Sequence, residues 1–544
     1  MNEGNEKRDL TVDLLLCNRC GACRAVCPVH EAVGGEWAAA RGKVELAEAF
    51  FRGEDVGEAD VQRIYDLCLH CLACEANCPS GMRADEVIMA VRAELARRGR
   101  IPHLKRLVLK LLEGTDNALF RLMRRLGLSR KAPLHGVGGK GPLSFLYPIL
   151  GWPRERFVPL PAAKPFLGNR PEFFAAADFD RADLDPAAAR RKAAARGLDP
   201  DLAADLVQRF ARARARNREQ RRSVYFFVGH TVNHFFPEEA EAVVFLLNML
   251  GLDVHAPADQ LCCGAPLFYA GDIEGTRKAA DRLLRRFGER GFDLIVTSCA
   301  SGGRMLKYEF PRLFDITADG FFRVEWDSDA EVFRRGAGGA PAGYAEAAEL
   351  YRRFVEGRVL DINELLAAEL GLVEPADPLA EMFGRSGAEE AVAEALESIA
   401  PTDTRDPGSK AGPDDSRPTV TYHHPCHLGR GQDVVWQPVK LLEALPGWRY
   451  VPMKDADRCC GGGGSFTFTH PEESASIARI KTDAVEESEA SVVATACPLC
   501  RIQLMDMLRR RFELDARRQG RPPRQIPVLS TVELIAGDLA RILR

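Results

Sequence analysis

A cysteine motif that occurs twice near the N-terminus constrains the fold of this chain more than any other feature. Each copy has the spacing C-x2-C-x2-C-x3-C-P, and the two copies end at Pro28 and Pro79. Their cysteines are Cys17, Cys20, Cys23 and Cys27 in the first copy and Cys68, Cys71, Cys74 and Cys78 in the second. This spacing holds cubane iron–sulfur clusters in two-cluster ferredoxins. The motif therefore predicts two 4Fe–4S clusters and electron transfer as the class of chemistry.

The spacing also predicts how the eight cysteines divide between the clusters. In the two-cluster arrangement, three ligands come from one run and the fourth comes from the other run. We therefore expect one cluster on Cys17, Cys20, Cys23 and Cys78, and the other on Cys68, Cys71, Cys74 and Cys27. Zinc is the alternative metal, but zinc sites favour ligands in pairs over triplets followed by proline.

Length, charge and cysteine usage bound the remaining possibilities. The chain has 544 residues, which suggests about three domains, and its net charge of −4 implies no bulk attraction to nucleic acid. Its 16 cysteines fall in four groups, a pattern unlike a secreted disulfide scaffold. The first ten residues are polar, and no run approaches the ~18 apolar residues of a membrane helix. We expect a cytoplasmic protein, with any membrane association peripheral or through a partner.

The N-terminal part is predicted to be helical. Residues 1–100 form an α-helical ferredoxin-type domain, with helical periodicity over Trp37–Phe51 and Asp60–Asp66 between the cysteine runs. Residues 101–222 form a basic helical connector.

Within the connector, leucines and basic residues alternate at helical spacing in 104–112 and 119–128. This pattern favours a solvated helix face, with docking to a membrane surface or an acidic partner as the alternative. Arg209–Arg222 is predicted as a surface helix.

Two later segments repeat the same order of strands and helices and predict two α/β domains, at residues 223–316 and 419–544. The segment between them, 317–418, is predicted to be an insertion and linker, with disorder over Thr402–Arg417. The predicted strands are Val224–Val228, Asp253–Ala256, Leu294–Val296, Thr419–Tyr422, Arg449–Val451 and Val492–Thr495. The predicted helices are Glu238–Leu250, Ile273–Phe287, Gln437–Ala444 and Pro471–Val485.

The second α/β repeat carries five cysteines at its strand ends, where open α/β sheets place their ligands. They are Cys426, Cys459, Cys460, Cys497 and Cys500, in the pattern C-x32-CC-x36-C-x2-C. Five thiolates exceed what one tetrahedral ion needs, so we expect a larger, non-cubane iron–sulfur cluster that forms the catalytic centre. The alternative is that these cysteines are buried small hydrophobic residues.

The first α/β repeat has lost part of this set. Cys262, Cys263 and Cys299 remain, whereas His230 stands where the second repeat has Cys426 and Gly302 where it has Cys500. The remaining residues either hold a simpler iron–sulfur cluster with a histidine ligand or form a vestigial site that holds nothing.

Three histidines flank Cys426 in the second repeat. They are His423, His424 and His427. We expect each either to donate a hydrogen bond to cluster sulfur or move a proton, or to be a satisfied structural residue.

Several of these motifs resemble a known family. The ferredoxin runs with Arg41-Gly42-Lys43 between them and Cys78-Pro79-Ser80-Gly81 at the end resemble the iron–sulfur subunit of bacterial glycolate oxidase and D-lactate dehydrogenases. The second repeat, with His424-Pro-Cys426-His-Leu-Gly-Arg430, Cys459-Cys460-Gly461, Thr469-His470-Pro471 and Cys497-Pro-Leu-Cys500, is similar to the cysteine-rich (CCG) domain of heterodisulfide reductase.

The resemblance implies a function and partners. It implies that electrons pass from a flavoprotein that oxidises a 2-hydroxy acid such as glycolate or lactate, through the two 4Fe–4S clusters and the non-cubane cluster, to a quinone or a membrane cytochrome subunit. The alternative is a catalytic subunit of the heterodisulfide reductase type, in which the non-cubane cluster itself reduces a disulfide. The departures at His230 and Gly302 weaken the case for a second non-cubane cluster.

Overall fold

The structure is a computed structural model. It describes residues 16–101, 109, 118–131, 156, 159–179, 182–314, 324–327, 332–335, 343–372, 415–463, 466–520 and 525–544. Most of the predicted helix at 104–112 and of the predicted linker at 402–417 lies outside these residues. Within the described residues, no helix is both long enough and apolar enough to cross a bilayer.

The N-terminal unit is helical and packs the cysteine loops around a small core. Its helices are Ala22–Val26, Pro28–Val33, Ala40–Phe51, Glu58–Asp66, Ala73–Ala76 and Ala84–Arg97, with a 3₁₀ turn at Glu36–Ala38. Val44, Tyr65 and Val87 are fully or almost fully buried where three of these helices meet. The predicted helices at 37–51 and 60–66 are confirmed.

The connector contributes helices to the next unit. They are Ala118–Arg125, Pro186–Ala195 and Pro200–Gln220, with a 3₁₀ turn at Ala176–Phe179. The predicted surface helix at 209–222 is part of the longest of these, which begins at Pro200 where the side chain of Asp199 caps the first turn. Its apolar face, including Val207 and Phe210, is fully buried in the core of the α/β units. The helix therefore differs from a solvated one, because its apolar residues recur at helical spacing among the arginines.

The first α/β unit is built on a five-stranded sheet. In chain order the strands of the protein are β1 (Phe173–Phe174), β2 (Ser223–Phe226), β3 (Asp253–His255), β4 (Leu294–Thr297), β5 (Val324–Asp327), β6 (Val332–Arg335), β7 (Val359–Asp361), β8 (Thr419–His423), β9 (Arg449–Tyr450), β10 (Val492–Thr495) and β11 (Val528–Ser530). The first sheet has the order β1-β3-β2-β4-β7, parallel except for β1. Strands β5 and β6 form a separate antiparallel pair.

The second α/β unit repeats this topology. Its sheet has the order β9-β8-β10-β11, and all of its strands are parallel. Strand for strand, β9, β8, β10 and β11 correspond to β3, β2, β4 and β7 of the first sheet. The predicted internal repeat is therefore present in the structure, and the six predicted strands are found within two residues of their expected ends.

Helices cover both sheets. Those of the first unit are His230–Phe235, Pro237–Met249, Ala265–Tyr269, Ile273–Gly288, Ala300–Arg304, Phe310–Phe314, Ala345–Phe354 and Ile362–Glu369, with a π-helical turn at Met305–Glu309. Those of the second unit are Gly429–Gln432, Gln437–Glu443, Phe466–Thr469, Pro471–Glu487, Pro498–Gln519 and Thr531–Leu543.

The first α/β unit extends beyond the predicted boundaries at 223 and 316. Strand β7 and the helix Ile362–Glu369 lie in the segment predicted to be an insertion and linker, yet β7 pairs with β4 in the sheet. They correspond to β11 and the last helix of the second unit. The side chain of Asp361 caps the helix after β7, and that of Ser530 caps the helix after β11, each in a capping box with a glutamate.

Arg501 joins the two α/β units from within the core. Its fully buried guanidinium donates to Glu239 of the first unit at 3.3 Å and to the backbone oxygen of Val528 at 3.0 Å, and it lies 2.8 Å from the carboxylate of Glu533. It also stacks 4.1 Å from the ring centre of Phe236. A buried charge network of this kind is costly to break, because the partners keep their charges without compensation.

Replacing Arg501 by Met should therefore lower the free energy of unfolding by about 3–5 kcal/mol. Arg511→Met is the matched control, because Arg511 pairs with acidic residues at the surface, where such pairs contribute about 1 kcal/mol or less. Anaerobic urea denaturation followed by circular dichroism measures both values. Equal losses for the two variants would contradict the structural role of Arg501.

Asp538 predicts a pH dependence of stability. Burial raises the pKa of its carboxyl from 3.8 to about 6, although a hydrogen bond from the Gly447 amide at 2.6 Å opposes this. The folded protein therefore binds a proton that the unfolded chain has released, and this contribution to stability is lost as the pH rises from 3.8 to 6. Asp538→Asn should raise the free energy of unfolding at pH 7 by up to about 3 kcal/mol, and the gain should vanish below about pH 4. A gain that persists at low pH would contradict this origin.

Candidate metal centres

The eight N-terminal cysteines line two neighbouring cavities. Cys17, Cys20, Cys23 and Cys78 line the first, and Cys27, Cys68, Cys71 and Cys74 line the second, with Cys74 also bordering the first. The structure thus brings together the same two sets of four that the ferredoxin spacing predicts. Cys20 is exposed, whereas the other seven are half-buried.

The two cysteine loops share an unusual backbone conformation. Arg19 and Gly21 have positive φ in the first loop, and His70 and Leu72 have positive φ at the equivalent positions of the second. Left-handed residues are costly outside glycine, and they persist where the surrounding structure requires them. Here they curl each loop so that three thiols face one point.

The surroundings of these thiols suit bound iron. Backbone amides donate to sulfur from Arg41 to Cys23 and from His30 to Cys27, both at 3.4 Å, and from His70 to Cys68 at 3.5 Å. Burial raises the pKa of the Cys27 thiol to about 11. A thiolate at such a position needs a positive counter-charge, which cluster iron supplies. The residues therefore fit the two predicted 4Fe–4S clusters.

The five cysteines of the second α/β unit come together as a row of thiols. Cys459 contacts both Cys426 and Cys460, and Cys460 in turn contacts Cys500, which contacts Cys497. All except Cys426 are buried. Hydrogen bonds from Cys459 and Cys500 lower the pKa of the central Cys460 thiol.

Strand ends and helix starts produce this row. Cys426 follows β8, and Cys497 follows β10 and stands at the start of the helix Pro498–Gln519, which carries Cys500 in its first turn. Gly461 has a φ of +78°, and a Cβ there would lie 2.7 Å from the backbone oxygen of Ser474. Glycine at this position lets the chain turn directly after the adjacent cysteines.

The row of thiols reaches the second ferredoxin cavity. The side chains of Cys459 and Cys71 are in hydrogen-bonding contact. The Gly463 backbone packs so closely on Leu69 that a Cβ on Gly463 would lie 2.7 Å from its side chain and 3.0 Å from its backbone oxygen. We call this contact between the Leu69–Cys71 loop and the Cys459–Gly463 loop the junction.

Side chains that were not predicted as site residues hold the junction together. Arg430 donates to the backbone oxygen of Cys71 at 2.9 Å, and Arg458 pairs with Glu31 of the ferredoxin unit. His427 contacts the backbone oxygen of His70 at 2.8 Å. Arg430 stands in the motif after Cys426 but has no cysteine spacing to mark its role, so only the tertiary contact reveals it.

The three histidines near Cys426 have different surroundings. His423 is fully buried beside Cys460 and Cys500. The ring of His424 packs on Tyr422, with ring centres 4.7 Å apart. His427 bridges to the ferredoxin unit at His70 and to the first α/β unit at Ser301, whose hydroxyl lies 3.1 Å from its ring. Burial lowers the pKa of both His424 and His427 to about 4.

The first α/β unit gathers its residues less tightly. Cys262 and Cys263 contact each other, and Cys299 and His230 lie close enough to Cys263 to affect its charge. Gly302 is next to Cys299, as Cys500 is next to Cys497. Among the described residues, however, only His423, Cys460 and Cys500 bring three ligand atoms within 4.8 Å of one another. Cys299 lies near Cys497, so the two repeats present their cysteines to each other.

Comparisons with known proteins agree with this layout. A 4Fe-4S dicluster domain matches residues 13–82, and a family described as cysteine-rich domain matches residues 224–307 and 420–505. A fumarate reductase (CoM/CoB) subunit from Methanothermobacter marburgensis is 27% identical over 52% of this chain and 42% of its own length. The probable glycolate oxidase iron-sulfur subunit of Bacillus subtilis is 23% identical over 92% of this chain and 90% of its own length.

Lactate utilization protein A of Geobacillus kaustophilus is 26% identical over 50% of this chain and 86% of its own length. The chain thus spans less than half the length of the first of these relatives and nearly all of the second.

These matches define a class: this is an iron–sulfur protein in which a 4Fe–4S dicluster domain precedes two cysteine-rich domains. Within the class it is related to the iron–sulfur subunits of oxidoreductases, including those of the glycolate oxidase and lactate utilization type. The resemblance predicted from the motifs is confirmed.

The junction predicts a specific effect of Gly463→Ala. The added methyl group has to displace Leu69, and overpacking of this kind costs about 1–3 kcal/mol. Hydrogen exchange of the backbone amides at residues 67–72 should become faster, while the iron content stays unchanged. Gly537→Ala is the control, because a Cβ there meets nothing within 4 Å. Unchanged exchange at 67–72 in Gly463→Ala would contradict the close packing.

Proposed function

We propose that this chain is the electron-transfer subunit of a redox complex that oxidises a 2-hydroxy acid of the glycolate or lactate type. The observation that carries the proposal is the contact between Cys71 and Cys459, because it makes the ferredoxin cavities and the C-terminal thiols one continuous path. A chain in which the clusters were only structural would not need these two sites in contact.

The path has four stages in the folded chain. It begins at the partly exposed cavity around Cys20, crosses to the cavity around Cys71, passes to the row that begins at Cys459, and faces the first α/β unit at Cys299. Bound iron–sulfur clusters supply one-electron couples along such a path. The protein holds the thiols, excludes water from the central stages, and places amide donors against the sulfur atoms.

The partners follow from this arrangement. A flavoprotein subunit removes two electrons from the 2-hydroxy acid and delivers them at the exposed end, near Cys20. The acceptor is a quinone or a membrane subunit such as a cytochrome. The names of the glycolate oxidase and lactate utilization relatives support this substrate class. The chain would act on the cytoplasmic side of the membrane, held there peripherally by its partner.

A second candidate function is the reduction of a disulfide at the five-cysteine site. It is favoured by the relative whose name includes the thiols CoM and CoB, and by the row of buried thiols itself. A mechanism that needs two complete sites has weaker support, because Gly302 leaves the first repeat without a counterpart of Cys500. A neighbouring flavoprotein gene favours the first function, and a neighbouring thiol-carrier gene favours the second.

Iron analysis and EPR of anaerobically purified protein test the proposed cluster content. Two 4Fe–4S clusters account for about eight irons per chain, so an additional C-terminal cluster predicts more iron and a third EPR signal. A content of about eight irons with only cubane signals would rule out the C-terminal cluster.

Replacing Cys459 by Ser tests whether the C-terminal site lies on the electron path. The variant should lose most of the quinone reduction by the complex while the signals of the two 4Fe–4S clusters persist, because Cys459 stands between those clusters and the rest of the row. Ser488→Ala, at the end of the distant helix Pro471–Glu487, is the control. Unchanged turnover in Cys459→Ser would remove the site from the path.

A further inference from the structure

His423 occupies an unusual position in the C-terminal site. It is the last residue of β8, and its side chain is fully buried. A ring nitrogen of His423 and the sulfur atoms of Cys460 and Cys500 all lie within 4.8 Å of one another. This spacing leaves room for one metal ion in contact with all three atoms, since metal–nitrogen and metal–sulfur bonds are about 2.0–2.3 Å long.

The ring of His423 has no other role within the described part of the chain. Neither of its nitrogens has a nitrogen or oxygen partner there, and the polar group that the ring faces is the Cys460 thiol. A buried polar group without a good partner costs about 1–3 kcal/mol, so the protein retains this histidine at the expense of stability. A ligand bound at Cys460 and Cys500 would compensate this cost.

The row of thiols is short of one donor at the end that His423 faces. Cys426 and Cys459 lie at the junction end, next to Cys71. Cys460, Cys497 and Cys500 lie at the opposite end. Three thiolates and one imidazole make the four donors of a tetrahedral site.

The first repeat provides an internal comparison. His423 lies three residues before Cys426, and the residue three before His230 is Phe227. Phe227 is buried in the core, and its ring lies 3.6 Å from the position of a Cβ on Gly302. The repeat that lacks the counterpart of Cys500 therefore also lacks the histidine, as expected if the two residues serve one metal.

We infer that His423 supplies an imidazole ligand to the metal held by Cys460, Cys497 and Cys500, which gives the end of the site farthest from the ferredoxin unit a three-thiolate, one-imidazole ligand set. The inference rests on the proposed C-terminal cluster. A histidine in place of a cysteine raises the reduction potential of an iron–sulfur centre. Electrons arriving at Cys459 therefore find the more oxidising end beyond Cys460, and His423 sets the direction of transfer.

Pulsed EPR of the complete protein labelled with ¹⁵N-histidine tests this ligand. The third signal should show the strong ¹⁵N coupling of a directly bound imidazole, and His423→Cys should remove that coupling and shift the midpoint potential of the site downward. His424→Gln is the control, since His424 is adjacent in sequence but packs on Tyr422; it should keep both the coupling and the potential.

The outcomes separate this inference from the proposed function. A third signal without strong ¹⁵N coupling in the wild-type protein, or with coupling that survives in His423→Cys, overturns the ligand assignment alone. A content of about eight irons per chain with no third signal overturns the C-terminal cluster and the ligand assignment together. The wild-type measurement needs no variant, so a variant that fails to fold does not decide the result.

Discussion

The contact between two loops at the junction is the constraint on which the function of this protein depends. One loop is curled by left-handed residues at His70 and Leu72 so that Cys71 reaches outward, and the other is kept thin by Gly461 and Gly463. Sulfur meets sulfur because neither loop carries a side chain that would hold them apart. Electron transfer falls off steeply with distance, so this close approach links two cysteine sites that would otherwise be independent.

Much of the fold could be predicted, because its signals are local. The predicted strands and helices in both α/β units rest on short apolar runs and helical periodicity, and the structure has them within a few residues. Strand β7 was not predicted, because a three-residue strand carries little pattern and belongs to the sheet only through its pairing with β4. The buried face of the helix Pro200–Gln220 was also missed, because its many arginines hide the apolar spacing.

The sites show the same division between spacing and tertiary structure. Cysteine spacing predicted which thiols come together, since the ligand loops are short and their geometry is local. It could not separate the three histidines near Cys426, which are consecutive or nearly so in sequence. Only the fold shows that His423 faces the thiols, His424 faces an aromatic ring and His427 faces the ferredoxin unit.

The junction also explains why one chain carries all of these parts. His427 and His70 are 357 residues apart in sequence, and the contacts that hold their loops together are few. Two separate proteins joined only by such contacts would dissociate readily. Covalent linkage makes the encounter intramolecular, so a small interface suffices because the tether supplies a high effective concentration. Selection can then keep this interface thin enough for sulfur-to-sulfur contact instead of enlarging it for affinity.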